Sequence, residues 1–404
     1  MKKLIGTVAV AALLATAAFA ELNMGAWVRT VVAPVAGNGE DILSGWSNSW
    51  GYGIRNARIS FNFASEDGKI GMQYDVFGDG ASGFGSGDYR AGWYKPADWV
   101  KFMVGHIDNG YTMRSDLSFG SWNWLRPNNW VIEDEGLTFN LGNADALQVE
   151  FFPVEGLQIL GRFSMPANGG FQEAYKMFET STFAIGYTIG SVGTIKAAWN
   201  GNGSRFENDD YKYLGDVQAA FDLTGVENLY ITLGAKVSIA TSDYRDIYYA
   251  NSEEDNPDCF KFIKAALGAS YQILDNLKIS ASFGTQTYSK SDIGIEVKHK
   301  PDFQFGVGLD VGLTDTLSLT ADFRGLFKGD IVSGDFTVKD PKPQFSFLVG
   351  LDWAFSSNGQ LGIGFEGSTG ACGILANANS GIAPAKDKDN AFCWAVPLKF
   401  GYWF

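Results

Sequence analysis

Cysteine, histidine, positive charge and long apolar stretches are all scarce in this chain of 404 residues. The three cysteines (Cys259, Cys372, Cys393) and two histidines (His106, His299) show no metal-site spacing. No metal and no cofactor are therefore expected. A hydrolase needs a base within reach of a nucleophile, and neither histidine lies beside a nucleophile motif or a phosphate-binding glycine loop, so the chain does not read as an enzyme. Beyond the first twenty residues no apolar run approaches the ~20 residues of a membrane-crossing helix, which excludes a helical inner-membrane protein. Lys and Arg number 31 against 45 Asp and Glu, for a net charge of −14, and this argues against a nucleic-acid partner. The acid concentrates at Asn208-Asp209-Asp210, at Glu253-Glu254-Asp255 and between Asp387 and Asp389. Those runs are either solvated connection surface or divalent-ion sites.

The N-terminus has the layout of an export signal. Met1, Lys2 and Lys3 are followed by a short apolar stretch from Leu4 to Ala18, and Ala18-Phe19-Ala20 fits a small-residue cleavage site. Residues 1–20 are read as a signal peptide and 21–404 as one domain, since no linker or composition break divides the rest. Export permits disulfides. Cys372 and Cys393 flank one connection and are either bridged or two isolated thiols, with Cys259 unpaired in both cases.

Aromatics make up 15% of the chain and glycine 50 residues, yet the mean hydropathy is only −0.05. The hydrophobicity is spread over alternate positions. From Phe392 every second residue is large and apolar, through Trp394, Val396, Leu398, Phe400 and Tyr402 to Phe404. The same rhythm runs through Phe345–Phe355, Phe303–Val311 and Leu229–Ile239. Alternate strand residues point to opposite faces, so each segment has one apolar face and one small or polar face. A buried sandwich would also alternate. These segments often exceed the usual ~5–6 residues of a strand, and many carry Trp, Tyr or Phe near their ends, as a membrane girdle does. Tight turns rich in Gly, Pro, Asn and Asp fall at 66–68, 95–98, 153–156, 190–193, 224–227, 275–276, 314–316 and 356–359. Longer connections lie around 37–53, 78–87, 107–134, 166–179, 201–209, 241–257, 289–299, 328–341 and 370–388. The expected fold is all-β, a transmembrane antiparallel barrel of about 18 strands, with 16 as the alternative because the stretch 135–141 reads either as strand or as connection.

If the apolar set faces lipid, the other set faces water inside the barrel. Arg29, Arg58, Arg90, Lys101 and Arg162 then line one arc, and Asp310, Asp322, Asp352 and Glu366 another, with Arg324 an exception among the acids. Such segregation would set a transverse field across a channel, although any wet position also accepts charge by chance. Small inward residues such as Gly234, Gly306, Gly308, Gly350, Gly362 and Gly364 leave space, and barrels of this size enclose an aqueous passage.

The exported N-terminus, repeated hairpins and aromatic C-terminus resemble outer-membrane porins of diderm bacteria, with a texture also similar to spirochaetal, particularly treponemal, outer-membrane proteins. The resemblance implies passive diffusion of small hydrophilic solutes and ions, often through a homotrimer. It makes Phe400, Tyr402 and Phe404 the signal read by the barrel-assembly machinery. Outer-membrane lipid and the permeating solutes would be the other partners. Diffusion porins fold their third long connection into the lumen. Here that segment is 107–134, with Arg114, Asp116, Arg126, Glu133, Asp134 and the adjoining Glu135 as the charged residues assigned to the constriction, and it either narrows the pore or packs over the barrel mouth. The rival to a channel is a surface adhesin or structural barrel that transports nothing.

Overall fold

The period-two pattern folds into a closed antiparallel β-barrel of 18 strands. The computed structural model describes residues 20–47, 55–79, 83–108, 113–115, 139–165, 174–201, 215–239, 261–289, 297–333, 336–369 and 391–404. The wall strands in chain order are β1 (Ala20–Gly37), β2 (Ile42–Ser47, then Arg55–Ser65), β3 (Ile70–Asp79), β4 (Gly83–Ala97), β5 (Val100–Ile107) and β6 (Ala144–Phe151). They continue as β7 (Leu157–Ser164), β8 (Thr182–Ile189), β9 (Gly193–Gly201), β10 (Gly215–Val226), β11 (Leu229–Ile239) and β12 (Lys261–Leu274). The last six are β13 (Leu277–Ser289), β14 (Asp302–Gly312), β15 (Leu317–Phe327), β16 (Gln344–Ser356), β17 (Gly359–Thr369) and β18 (Phe392–Ala395, then Leu398–Trp403). Each strand pairs with its sequence neighbour, and β18 closes on β1 with Trp403 opposite Trp27 and Lys399 opposite Val31. Phe404 joins the ladder as well. Its N–H donates to the Ala26 carbonyl at 2.9 Å, and its carbonyl accepts from the Ala26 N–H at 2.8 Å. Among the described residues closure gives every wall strand a partner on both sides, which hydrocarbon requires.

All eight expected tight turns join consecutive wall strands at one rim. Two glycines show why the turn and bulge chemistry is needed. Gly156 has φ +79°, and a Cβ there would lie 2.7 Å from the Thr188 carbonyl oxygen. Gly105 has φ +124° inside β5, where a Cβ would meet the Arg90 carbonyl oxygen at 2.0 Å. Only glycine takes such φ values without strain.

At the opposite rim three connections depart from expectation. Within the stretch 37–53, Ile42–Ser47 is strand. Asn38 Oδ1 accepts from the N–H groups of Glu40 (3.0 Å) and Asp41 (2.7 Å), a side-chain turn that lets Ile42–Ser47 pair back on β1. The stretch 78–87 is shorter than its glycines suggested, because Gly83 already pairs with Asp79. Within 328–341, Ile331–Ser333 and Phe336–Val338 form a small three-stranded sheet with Val297–His299. A short helix spans Ala174–Glu179.

The outer surface is apolar, with Leu233, Val307, Val349 and Ile363 all exposed. Aromatic side chains gather toward the tight-turn rim. Tyr94, Trp99, Tyr187, Tyr271, Trp353 and Tyr402 are exposed there, Trp99 stacks on Phe151 at 6.4 Å, and Phe355 stacks on Phe400 at 6.2 Å. Such a band has no soluble partner of its own and belongs against lipid. Trp27 does not join this band. It is buried on the inner face, 6.0 Å from Phe77.

Candidate functional site in the barrel lumen

The inner face of β7–β10 has a dent. Its inward positions include Ala184, Gly186, Ala198 and Ala220, too small to fill the space beside Leu160. Into this dent pack Met113, Phe139 and Leu141, all buried with Leu160, Ala184, Ala198 and Ala220 in one apolar cluster. The Met113 sulfur lies 3.1 Å from where a Cβ on Gly186 would sit. Burying a residue such as Phe139 or Leu141 is worth roughly 1.5–3 kcal/mol, so the two ends of the connection between β5 and β6 are held against the inner wall. We call the segments Met113–Ser115 and Phe139–Asn143 the shelf. Within the stretch 135–141, ambiguous in the sequence, the described residues 139–141 are not wall strand: Phe139 and Leu141 alternate like strand residues, but their apolar side chains face this dent.

Polar groups complete the docking. Ser115 N–H donates to the Phe139 carbonyl at 3.0 Å and joins the two halves of the shelf, and Arg114 bridges Asn140. Ser115 Oγ donates to Asp222 Oδ1 at 2.8 Å, and Thr232 Oγ1 donates to the same oxygen at 2.7 Å. Lys196 Nζ donates to the Arg114 carbonyl and to Asp222. Gln218 clasps Asn140 twice. Its Oε1 accepts from the Asn140 N–H at 3.1 Å, and its Nε2 donates to the Asn140 carbonyl at 2.8 Å. The Arg162 guanidinium donates to the carbonyls of Gly142, at 2.7 Å, and of Leu141. Backbone polar groups brought into a wall must find partners, and inward side chains of β7–β11 provide them.

The expected basic residues divide in position. Arg29 and Arg58 face inward over the Trp27 ring, at 4.6 and 5.7 Å from its centroid. Arg58 also pairs with Asp75 at 3.5 Å. Lys101 faces inward and reaches Glu150 at 3.7 Å, and Glu150 accepts from the side-chain amides of Gln148 (2.7 Å) and Gln158 (3.1 Å). Arg162 is inward and holds the shelf. Arg90 is a correction, because it points outward. Its ladder partners are Tyr74 and His106, members of the exterior set, and it reaches Asp145 at 3.9 Å while His106 Nδ1 lies 3.1 Å from the same carboxylate. Both faces of β4 carry aromatics, so alternation alone did not choose between them. Tyr89, Ala91 and Trp93 go inward to pack with Met103 and Ile107.

The four expected acids lie on the inner face of β14–β17. Asp310 accepts from Thr320 Oγ1 at 2.8 Å. Asp322 lies 3.4 Å from Arg324 Nε. Asp352 binds Lys399 Nζ at 2.7 and 2.8 Å, and Glu366 is buried. The charges are therefore not segregated. Asp75 and Glu150 stand among the cations, and Arg324 and Lys399 among the anions, so neighbouring opposite charges cancel most of a transverse field. Of the connection residues, Arg114 is in the shelf, whereas Asp116, Arg126, Glu133, Asp134 and Glu135 lie outside the described residues, as do residues 1–19, Cys259 and Cys372. Cys393 is a free, buried thiol, and a bridge to Cys372 falls outside the described residues. Phe400, Tyr402 and Phe404 take the outer face.

Lys196, Gln218, Asp222, Lys236, Lys264 and Lys399 were not singled out in the sequence. Their only signal there is a polar residue at an inward position. Three of them border a cavity of about 280 Å³ between the shelf and β7–β12. Its lining includes Asn140–Ala144, Arg162, Thr182, Asn200, Gln218, Lys236 and Lys264, over a floor at Gly234 and Ala266.

No protein-family model matches the chain, and no curated protein matches it by sequence. Its fold is that of known outer-membrane porins. An anion-selective porin from Comamonas acidovorans superposes with a TM-score of 0.52 at 12% identity, over 95% of this chain and 100% of that one. The trimer form of OmpT, an outer-membrane protein of Vibrio cholerae, gives 0.51 at 11% identity over 96% and 100%. The outer-membrane channel DcaP of Acinetobacter baumannii gives 0.50 at 12% identity over 96% and 98%.

Proposed function

We propose that this barrel is an outer-membrane porin, a water-filled channel through which small hydrophilic solutes and ions diffuse passively, and that the connection between β5 and β6 narrows it. The observation that carries the reading is the shelf. A long connection anchored by hydrogen bonds to the inner wall beside a polar cavity is the arrangement of a constricted channel. The acids Asp116, Glu133, Asp134 and Glu135 belong to the same connection and contribute to the constriction. Reconstitution into planar bilayers tests this. Stable conductance steps are expected, and removal of 116–138 should raise the step size. A folded barrel that inserts without steps would instead favour an adhesin or structural role. Export through a cleaved signal predicts that the membrane form begins at Glu21, with Phe404 serving recognition by the assembly machinery.

The channel works as a homo-oligomer in this reading. Arg90, His106 and Asp145 interrupt the apolar exterior four residues along β4 from Tyr94 of the aromatic rim, which is roughly 10 Å along the barrel axis and inside an apolar band ~25 Å tall. A cation facing lipid at such depth costs about 2–4 kcal/mol. A second copy of the chain over β4–β6 removes that cost and supplies polar partners, in keeping with the trimer form of OmpT from Vibrio cholerae. Val104→Cys on β5 should cross-link between copies in native membranes, while Val307→Cys on β14 should not. Equal behaviour of the two variants would reject this face.

A further inference from the structure

Arg90, His106 and Asp145 are not scattered over the exterior. Arg90 is the ladder partner of His106, and His106 that of Asp145, so the three stand side by side on one rung across β4, β5 and β6. Tyr74 of β3 continues the rung beyond Arg90. On the other side β7 brings Met165, whose N–H donates to the Asp145 carbonyl at 2.7 Å. The next outward rung toward the tight turns is Gly92, Val104 and Leu147. Asp108 lies two residues beyond His106, just past the end of β5. The charge of the rung itself is set by three groups. Arg90 is a permanent cation. Asp145 supplies one carboxylate, with its Oδ1 at 3.9 Å from Arg90 Nη2 and 3.1 Å from His106 Nδ1. A neutral imidazole satisfies that carboxylate through Nδ1–H and leaves the rung with no net charge. A second proton, on Nε2 at the far side of the ring, makes the rung a net cation.

We infer that His106 makes the association of copies over β4–β6 depend on pH: the copies join while the imidazole is neutral and part when it is protonated. The inference rests on the second-copy reading of this face and adds its regulation. The side chains of Arg90, His106 and Asp145 are 37%, 21% and 30% exposed, open enough to be met by a covering surface. In a lone barrel, local thinning of the bilayer and snorkelling bring water to a charge at this depth. Beneath a second copy that relief is lost, and an unbalanced charge taken out of water is costly. A balanced rung passes into the contact without that cost. Imidazole is the side chain whose charge changes between about pH 5 and pH 8. Each His106 that must be neutral for contact lowers the association constant by at most about tenfold per pH unit on the acid side.

The test takes the full-length barrel in detergent micelles and measures its mass by sedimentation at about pH 8 and about pH 5, the two sides of the imidazole range, with heat modifiability as the control for folding. The parent should be an oligomer at the higher pH and shift toward monomer at the lower. His106→Gln keeps an N–H donor for Asp145 and never gains a charge, so it should remain an oligomer at both. Arg90→Gln turns the balance round. Its rung is a net anion with neutral imidazole and uncharged once the imidazole is protonated, so this variant should associate better in acid. A purely structural role for His106 would not reverse the trend. A parent equally oligomeric at both values, or a His106→Gln variant that keeps the parent's trend, overturns the switch while leaving the second-copy reading intact. A parent that is monomeric at both values overturns that reading as well, and the Val104→Cys cross-link then fails with it.

Discussion

The inner wall uses the same residue types in two ways. On β7 and β9 the cations reach the backbone of the docked segment, Lys196 while also bound to Asp222. Arg162 donates to the carbonyls of Leu141 and Gly142, and Lys196 to that of Arg114. On β14–β18 they turn toward carboxylates in the wall itself, Arg324 to Asp322 and Lys399 to Asp352. The first arc spends its charge on holding an inserted segment, and the second within the wall, Arg324 along β15 itself and Lys399 from β18 to β16. An inward lysine therefore reports only that its position is polar. What it does depends on whether another part of the chain docks beside it.

Breaking the second arc should have the largest effect. The Lys399 side chain is fully buried and that of Asp352 nearly so. Lys399→Met leaves a buried carboxylate without its cation and should cost about 3–5 kcal/mol, read as a lower urea midpoint for unfolding in micelles. Adding Asp352→Asn should recover most of the loss. If the single variant unfolds like the parent, the pair does not fasten β18 to β16.

The first arc should respond in its shelf rather than in its barrel. Arg162→Ala removes charge-assisted bonds of about 1.5–3 kcal/mol each. The barrel should remain heat-modifiable while limited proteolysis reaches the connection between β5 and β6 sooner. Overfilling the dent is the milder disturbance. Ala220→Phe competes with Phe139 for one space and should cost the shelf about 1–3 kcal/mol of docking, with the same protease readout. A globally destabilised barrel in either variant would mean that the shelf is part of the wall's own stability, and the contrast between the arcs would disappear.

The two arcs also differ in how readable they were. Outer faces and tight turns follow from local chemistry, a two-residue period and residues such as Gly156, and these were legible. So was the inward direction of Asp310, Asp322, Asp352 and Glu366, whose neighbours along the strand are strongly apolar. β4 was not, because Tyr89, Ala91 and Trp93 compete with Tyr94 for the greasy face, and only pairing with Tyr74 and His106 sends Arg90 outward. The shelf was unreadable for a different reason. Phe139 and Leu141 alternate like any strand, and the dent that receives them is made of alanines and a glycine on other strands. Pairs such as Lys399 with Asp352 depend on the register of three strands, and no local pattern encodes register between segments so far apart in sequence.

A third use of paired charge, in water, sharpens the comparison from its weak end. In the small sheet above β13–β15, Lys300 pairs with Asp330, which also accepts from the Asp340 N–H at 2.8 Å. The hydrogen bond from Lys300 holds the Asp330 carboxyl below its ordinary 3.8, and the bond to Asp330 raises the Lys300 ammonium above its ordinary 10.5. A depressed acid contributes stability above its unfolded value and loses it as pH falls through the folded one. A raised base contributes below its unfolded value and loses it as pH rises through the folded one. The exchange protection of Val297–His299 and Ile331–Ser333, taken relative to the intrinsic amide rate at each pH, should therefore stay flat between about pH 5 and pH 9 and fall only beyond those limits. Both groups are solvated, so the change should be small and should shrink further in high salt. Exchange in β16 and β18, beside the buried Lys399–Asp352 pair, should be insensitive to salt over the same range. Equal salt sensitivity in the two places would show that the wall's pairs are as wet as the sheet's, and that burial does not separate fastening from decoration in this barrel.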